Sequence, residues 1–110
     1  MNSPTDLNLS ALRLAAMDAC ALLKTLSNPD RLLLLCQLTE GERCVSELET
    51  LLDIRQPTLS QQLTVLRQEG LVATRREGKK IYYQIARTEV LALLQTLHAL
   101  FCPDVSKASE

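Results

Sequence analysis

Four cysteines (Cys20, Cys36, Cys44 and Cys102) and one histidine, His98, are the residues of this 110-residue chain best equipped for covalent or metal chemistry. No pair has the Cys-x-x-Cys spacing of a redox enzyme, and a Cys-x-Cys pair starting at Cys44 is broken by Ser46. With a single histidine, four zinc ligands cannot be assembled from recognisable spacings, so neither a metal centre nor a cofactor is expected. What remains is thiol chemistry set by position. Cys44 stands just ahead of a helix beginning at Val45, where free N–H groups and the positive end of the helix dipole favour the thiolate, which is the nucleophile. Cys102 stands at the opposite kind of site, a helix C-terminus, one turn after His98. The asymmetry suits an attacking Cys44 and a resolving Cys102. Cys36 follows four leucines and is expected in the core, and Cys20 is expected to pack beside the apolar stripe of the first helix.

A second constellation is suited to reading nucleic acid. About 100° of rotation per residue sorts a helix starting at Pro57 into an inner stripe of Leu59, Leu63 and Leu66 and an outer stripe of Ser60, Gln61, Thr64, Arg67 and Gln68. Gln56 and Thr58 flank its start. Gln can bond adenine N6 and N7 together, and Ser or Thr can reach bases or phosphates. Gln61 points outward and Gln62 sits at the margin, which makes Gln61 the better base contact. Arg75, Arg76, Lys79 and Lys80 then flank a turn between two strands and suit the phosphate backbone. A polar helix face alone is commonly just solvated. Its position before a basic hairpin tips the reading toward DNA.

The rest of the chain must position these groups. Leu12, Ala16, Ala19, Leu23 and Leu26 recur at helical spacing over residues 8–26. Asn28-Pro29 caps and starts a helix over 29–39, expected to be the most buried element, and Gly41 ends it. A short helix spans 45–53, the polar-faced helix spans 57–69, and Gly70 stops it. Strands are expected over 71–76 and 80–85 around Glu77-Gly78, then a helix capped by Thr88 and running to Cys102, where Pro103 stops it. The order predicts one mainly α domain with a β-hairpin wing (α+β), a winged helix-turn-helix over residues 8–103. Residues 1–7 are expected to be disordered and 104–110 a flexible tail.

Charge distribution supports this division of labour. The chain nets −1, but residues 55–87 carry +5 against −4 before and −2 after, as expected of a phosphate-contacting element. No apolar run approaches a membrane span and no leader pattern opens the chain, so a cytoplasmic protein is expected, with reduced thiols. The first and last helices are too apolar for a lone small domain, and Val90, Leu91, Leu93, Leu94, Leu97, Leu100 and Phe101 cover more than one face of the last. A symmetric homodimer would bury the excess and place two reading helices about one DNA turn apart.

Four stretches carry a family resemblance: Cys44-Val45-Ser46-Glu47-Leu48; Gln56-Pro57-Thr58-Leu59-Ser60-Gln61-Gln62-Leu63; Leu66-Arg67 with Gly70-Leu71-Val72; and Arg75-Arg76-Glu77-Gly78-Lys79-Lys80-Ile81-Tyr82-Tyr83. Together they resemble the ArsR family of bacterial winged-helix repressors over roughly residues 12–103. The resemblance implies a homodimeric repressor that binds double-stranded operator DNA as an inverted repeat and leaves it when an inducer alters the dimer. The placing of Cys44 and Cys102 is also similar to the persulfide-responsive BigR/SqrR branch. That implies a dithiol sensor in which persulfide, polysulfide or oxidant links the two sulfurs and lowers operator affinity. The alternative is a thiophilic metal or metalloid sensor, for arsenite or cadmium, with Cys20 as third ligand to Cys44 and Cys102. A winged-helix protein-interaction module is disfavoured by the polar Ser60/Gln61/Thr64 face, and an enzyme by the missing motifs.

Overall fold

The computed structural model describes residues 4–102. Five helices and three strands follow in the order α1 (Pro4–Leu26), α2 (Pro29–Leu38), β1 (Arg43–Cys44), α3 (Val45–Leu52), α4 (Thr58–Gln68), β2 (Val72–Glu77), β3 (Lys80–Ile85) and α5 (Thr88–Phe101). The strands form one antiparallel sheet in the order β1-β3-β2. This is the expected winged helix-turn-helix, with α3 and α4 leading into the β2–β3 wing.

Local chemistry fixes the helix ends. The Asn28 side chain accepts from the Arg31 N–H at 3.0 Å and Pro29 opens α2, a first turn that needs no other partner. At the end of α4 the Leu71 N–H reaches back to the Leu66 carbonyl at 3.0 Å around Gly70, whose φ of 77° is open to glycine at little steric cost. Gly78, at φ 64°, lets the wing turn between Glu77 and Lys80.

Leu34 and Leu35 of α2, Leu48 of α3, Leu59, Leu63 and Leu66 of α4, Leu71, and Val90 and Leu94 of α5 are all within 1% of complete burial and form one core. That core holds the inner stripe of α4 and so turns the other stripe outward. At about 25 cal/mol per Å² of apolar surface, each buried leucine contributes roughly 2 kcal/mol.

Several expectations need correction. Helix α1 begins at Pro4 rather than at residue 8, so residues 4–7 are helical; residues 1–3 and the tail expected over 104–110 lie outside the described residues. Its stripe does not pack within the protomer. Leu12 and Leu23 are more than half exposed, and only Leu26 at the end is buried. Thr88 is the first helical residue of α5, not its cap; Arg87 holds that position without a side-chain cap bond. The two-residue strand β1 was not expected. It pairs Arg43 with Tyr83 and Cys44 with Tyr82, a contact too short to leave an alternating pattern in sequence.

Candidate nucleic-acid interface and thiol pair

Ser60, Gln61, Thr64, Arg67 and Gln68 are all exposed on α4, Gln56 is exposed just before it, and Thr58 is half-buried in its first turn. The Ser60 hydroxyl donates to Gln56 Oε1, and the Thr64 hydroxyl donates to the Ser60 carbonyl at 2.8 Å. Among the described residues, Gln61 and Arg67 make no side-chain bond of this kind. Gln62 is occupied: Arg31 Nη1 donates to its Oε1 at 2.9 Å while Arg31 Nε donates to the Thr25 carbonyl at 2.7 Å. One guanidinium therefore ties the end of α1 and the start of α2 to the inner margin of α4.

In the wing, Arg76, Lys79 and Lys80 are exposed. Arg75 is different from the free cation expected of it. Its Nε donates at 2.9 Å to both carboxylate oxygens of Glu42, its Nη2 joins the same carboxylate, and its Nη1 donates to Glu77 Oε1 at 2.7 Å. The guanidinium also lies 4.7 Å from the centre of the Tyr82 ring. These bonds push the Arg75 pKa upward, Glu42 first and Glu77 second, and the bond from Arg75 holds the Glu42 carboxyl below its usual range. Among the described residues, Arg75 is the one of the four wing cations held in ion pairs.

The cysteines fall differently from expectation. Cys44 begins α3 as expected, but only 3% of it is exposed. Its N–H donates to Glu47 Oε1 at 2.9 Å, which lowers the Glu47 pKa, and its Sγ lies 3.3 Å from Ser46 Oγ. The helix start is thus closed by Glu47 and the thiol is shielded. Cys102, half-buried, ends α5 with its N–H donating to the His98 carbonyl at 2.8 Å. Cys20 is exposed on α1.

Cys36 is half-buried and packs against the edge of the core rather than inside it. It lines a recess of about 450 Å³ between α2 and α5, with Leu33 and Gln37 on its own helix, Glu40 just beyond that helix, and Leu94, Gln95 and His98 opposite. Burial raises its pKa first, and negative charge on Cys102 raises it further; His98, whose carbonyl accepts from the Cys102 N–H, lines the same recess. Cys44 lies in a separate recess with Lys79, Lys80 and Ile81. The residue missed in sequence was legible in principle. Positions 33, 36, 37 and 40 share one helical face, distinct from the buried stripe of Leu34, Leu35 and Leu38. Among the described residues no three His, Cys, Asp or Glu side chains are grouped to hold a metal, so Cys20, Cys44 and Cys102 are not brought together as a ligand set. No helix among these residues is long and apolar enough to cross a membrane.

Comparison with known proteins agrees with this geometry. Residues 28–74 match the model described as bacterial regulatory protein, arsR family. The biofilm growth-associated repressor of Agrobacterium fabrum is 50% identical over 105 residues, covering 93% of this chain and 90% of its own. The transcriptional activator HlyU of Vibrio cholerae is 41% identical, over 87% of this chain and 89% of its own. The crystal structure of the repressor BigR from Xylella fastidiosa superposes with a TM-score of 0.80 at 47% identity, covering 84% of this chain and 95% of that one.

Proposed function

The chain belongs to the arsR family of bacterial regulatory proteins and is a transcriptional regulator rather than an enzyme; from that premise we propose that it is a dithiol-switched operator repressor whose reacting pair is Cys36 and Cys102. The observation that carries the reading is the recess between α2 and α5, which Cys36 lines opposite His98, the residue whose carbonyl accepts from the Cys102 N–H. Cys102 stays in the pair read from the sequence, but as the thiol that attacks first. Cys36 replaces Cys44 as its partner and resolves the persulfide, since the burial and bonds of Cys44 make it part of the α3 start.

The chemistry balances with a polysulfide as oxidant. Burial disfavours the thiolate of Cys36, and the first attack is assigned to Cys102. Its thiolate takes one sulfane sulfur and a shorter polysulfide leaves, giving a persulfide on Cys102. Cys36 then loses its proton and attacks the Cys102 sulfur, and the outer sulfur departs as hydrosulfide. Two thiols are oxidised to one disulfide, and one sulfane sulfur is reduced to sulfide. The bond joins α2, at the centre of the core, to α5.

DNA is bound by Gln61 and Arg67 from α4, with Gln56, Thr58, Ser60 and Thr64 beside them, and by Arg76, Lys79 and Lys80 from the wing. The protein acts in the cytoplasm as a homodimer through α1 and α5, on an inverted repeat. Exposed Leu12, Leu23, Leu100 and Phe101 support that surface, since a lone small domain rarely leaves so much apolar area uncovered.

The test is release from DNA by polysulfide in Cys36→Ser, Cys44→Ser and Cys102→Ser, with the mass of the product read alongside. Loss of release in the first and third, with normal release in Cys44→Ser, is expected. Normal release in Cys36→Ser, with a mass joining Cys44 to Cys102, would return the pair to the one read from sequence.

A further inference from the structure

The wing's Arg75 and the α2–β1 connection meet in a network that the reading above does not use. Cys44, Tyr82 and Arg75 are successive partners across β1, β3 and β2, so their side chains share one face of the sheet. Glu42, two residues before Cys44 in an extended stretch, joins that face from the connection leaving α2. Every nitrogen of the Arg75 guanidinium is then engaged by a carboxylate, Nε and Nη2 by Glu42 and Nη1 by Glu77. The group adds two negative charges to one positive. A phosphate would have to displace a fork-to-fork ion pair to reach Arg75, and would meet an acidic neighbourhood.

We propose that Arg75 is a positioning residue, not a backbone contact: through Glu42 it fastens the wing to the α2–β1 connection, and the wing's phosphate contacts fall to Arg76, Lys79 and Lys80. An isolated surface pair would do little. This one is bidentate, braced by Glu77 and stacked on Tyr82, and it extends the two-residue β1–β3 ladder with a side-chain tie from the outer strand β2 to the α2–β1 connection. Without it the wing is held at this edge by the short β1–β3 ladder alone, and its orientation toward the backbone is less firmly set. The proposal rests on the wing lying against DNA.

The experiment measures binding to a fluorescent duplex of mixed sequence over a salt series, because backbone contacts are read there without knowing the operator. Two variants keep the net charge of the wild type: the double variant Glu42→Ala/Arg75→Ala and the swap Glu42→Arg/Arg75→Glu. The double variant is expected to bind about threefold more weakly per protomer, or roughly tenfold for a dimer, with an unchanged salt slope. The swap should regain most of that loss, which a change in folding alone would not explain. Arg75→Ala alone should also leave the slope unchanged, while Arg76→Ala lowers it by about 2 for a dimer. A slope lowered equally by Arg75→Ala would overturn the proposal, as would a double variant that binds like the wild type. A slope left unchanged by Arg76→Ala would remove the wing from DNA and the proposal with it. Circular dichroism of each variant confirms that the fold is retained.

Discussion

Replacing Arg76, Lys79 and Lys80 together by alanine isolates the electrostatic share of DNA binding. All three are exposed, and none shares the carboxylates that engage Arg75. Each phosphate contact contributes about 0.9 to the slope of log affinity against log salt. Three cations per protomer, in a dimer, therefore account for about 5 units of slope. Over a fourfold rise in salt that slope corresponds to a change in affinity on the order of a thousandfold. The variant should bind far more weakly at low salt and show little further loss as salt rises, while its circular dichroism and melting temperature stay near those of the wild type. Fluorescence anisotropy from roughly 50 to 200 mM salt reads this directly. A slope reduced by less than about 1 would refute the assignment of these residues to the DNA backbone.

Other consequences are as direct. Gln61→Ala should relax discrimination at one base position by about 1–3 kcal/mol and leave binding to a mixed-sequence duplex unchanged, read by competition with single-base operator variants. Leu63→Ala, at a site 1% exposed, should lower stability by about 2–5 kcal/mol in urea unfolding. Closure of the Cys36–Cys102 bond should speed up with pH. Because the Cys36 pKa is raised, the attacking thiolate is scarce at neutral pH and grows about tenfold per unit. Rapid-mixing measurement of thiol loss should show no plateau below the ordinary thiol pKa. Leu100→Glu with Phe101→Glu, on side chains 66% and 77% exposed, should yield monomers in sedimentation.

The elements that could be read from sequence are those whose local chemistry and packing agree. Asn28-Pro29, Gly70 and Gly78 punctuate the chain because backbone geometry demands those residue types, and the inner stripe of α4 follows helical period. The outward set from Ser60 to Gln68 came with it, since burying one stripe exposes the other. What could not be read depends on partners distant in sequence. Glu42 and Arg75 are 33 residues apart, and nothing local distinguishes a paired arginine from a free one. The same holds for Cys44, whose cover comes from Ser46 and Glu47 and from its place beside β3. Cys36 was assigned to the core because four leucines precede it. A run of apolar residues on a helix must nevertheless point in several directions, and α2 turns Leu33 and Cys36 away from the buried stripe.

The guanidinium of Arg31 sets a distance as well as a contact. By holding the Thr25 carbonyl of α1 and the Gln62 amide of α4 at once, it makes the recognition helix and the long exposed helix parts of one rigid lever. In a dimer joined through α1, the gap between the two recognition helices is measured through this side chain twice. A small rotation about α1 would carry both helices off the spacing of the DNA grooves, without a bond to DNA having been touched.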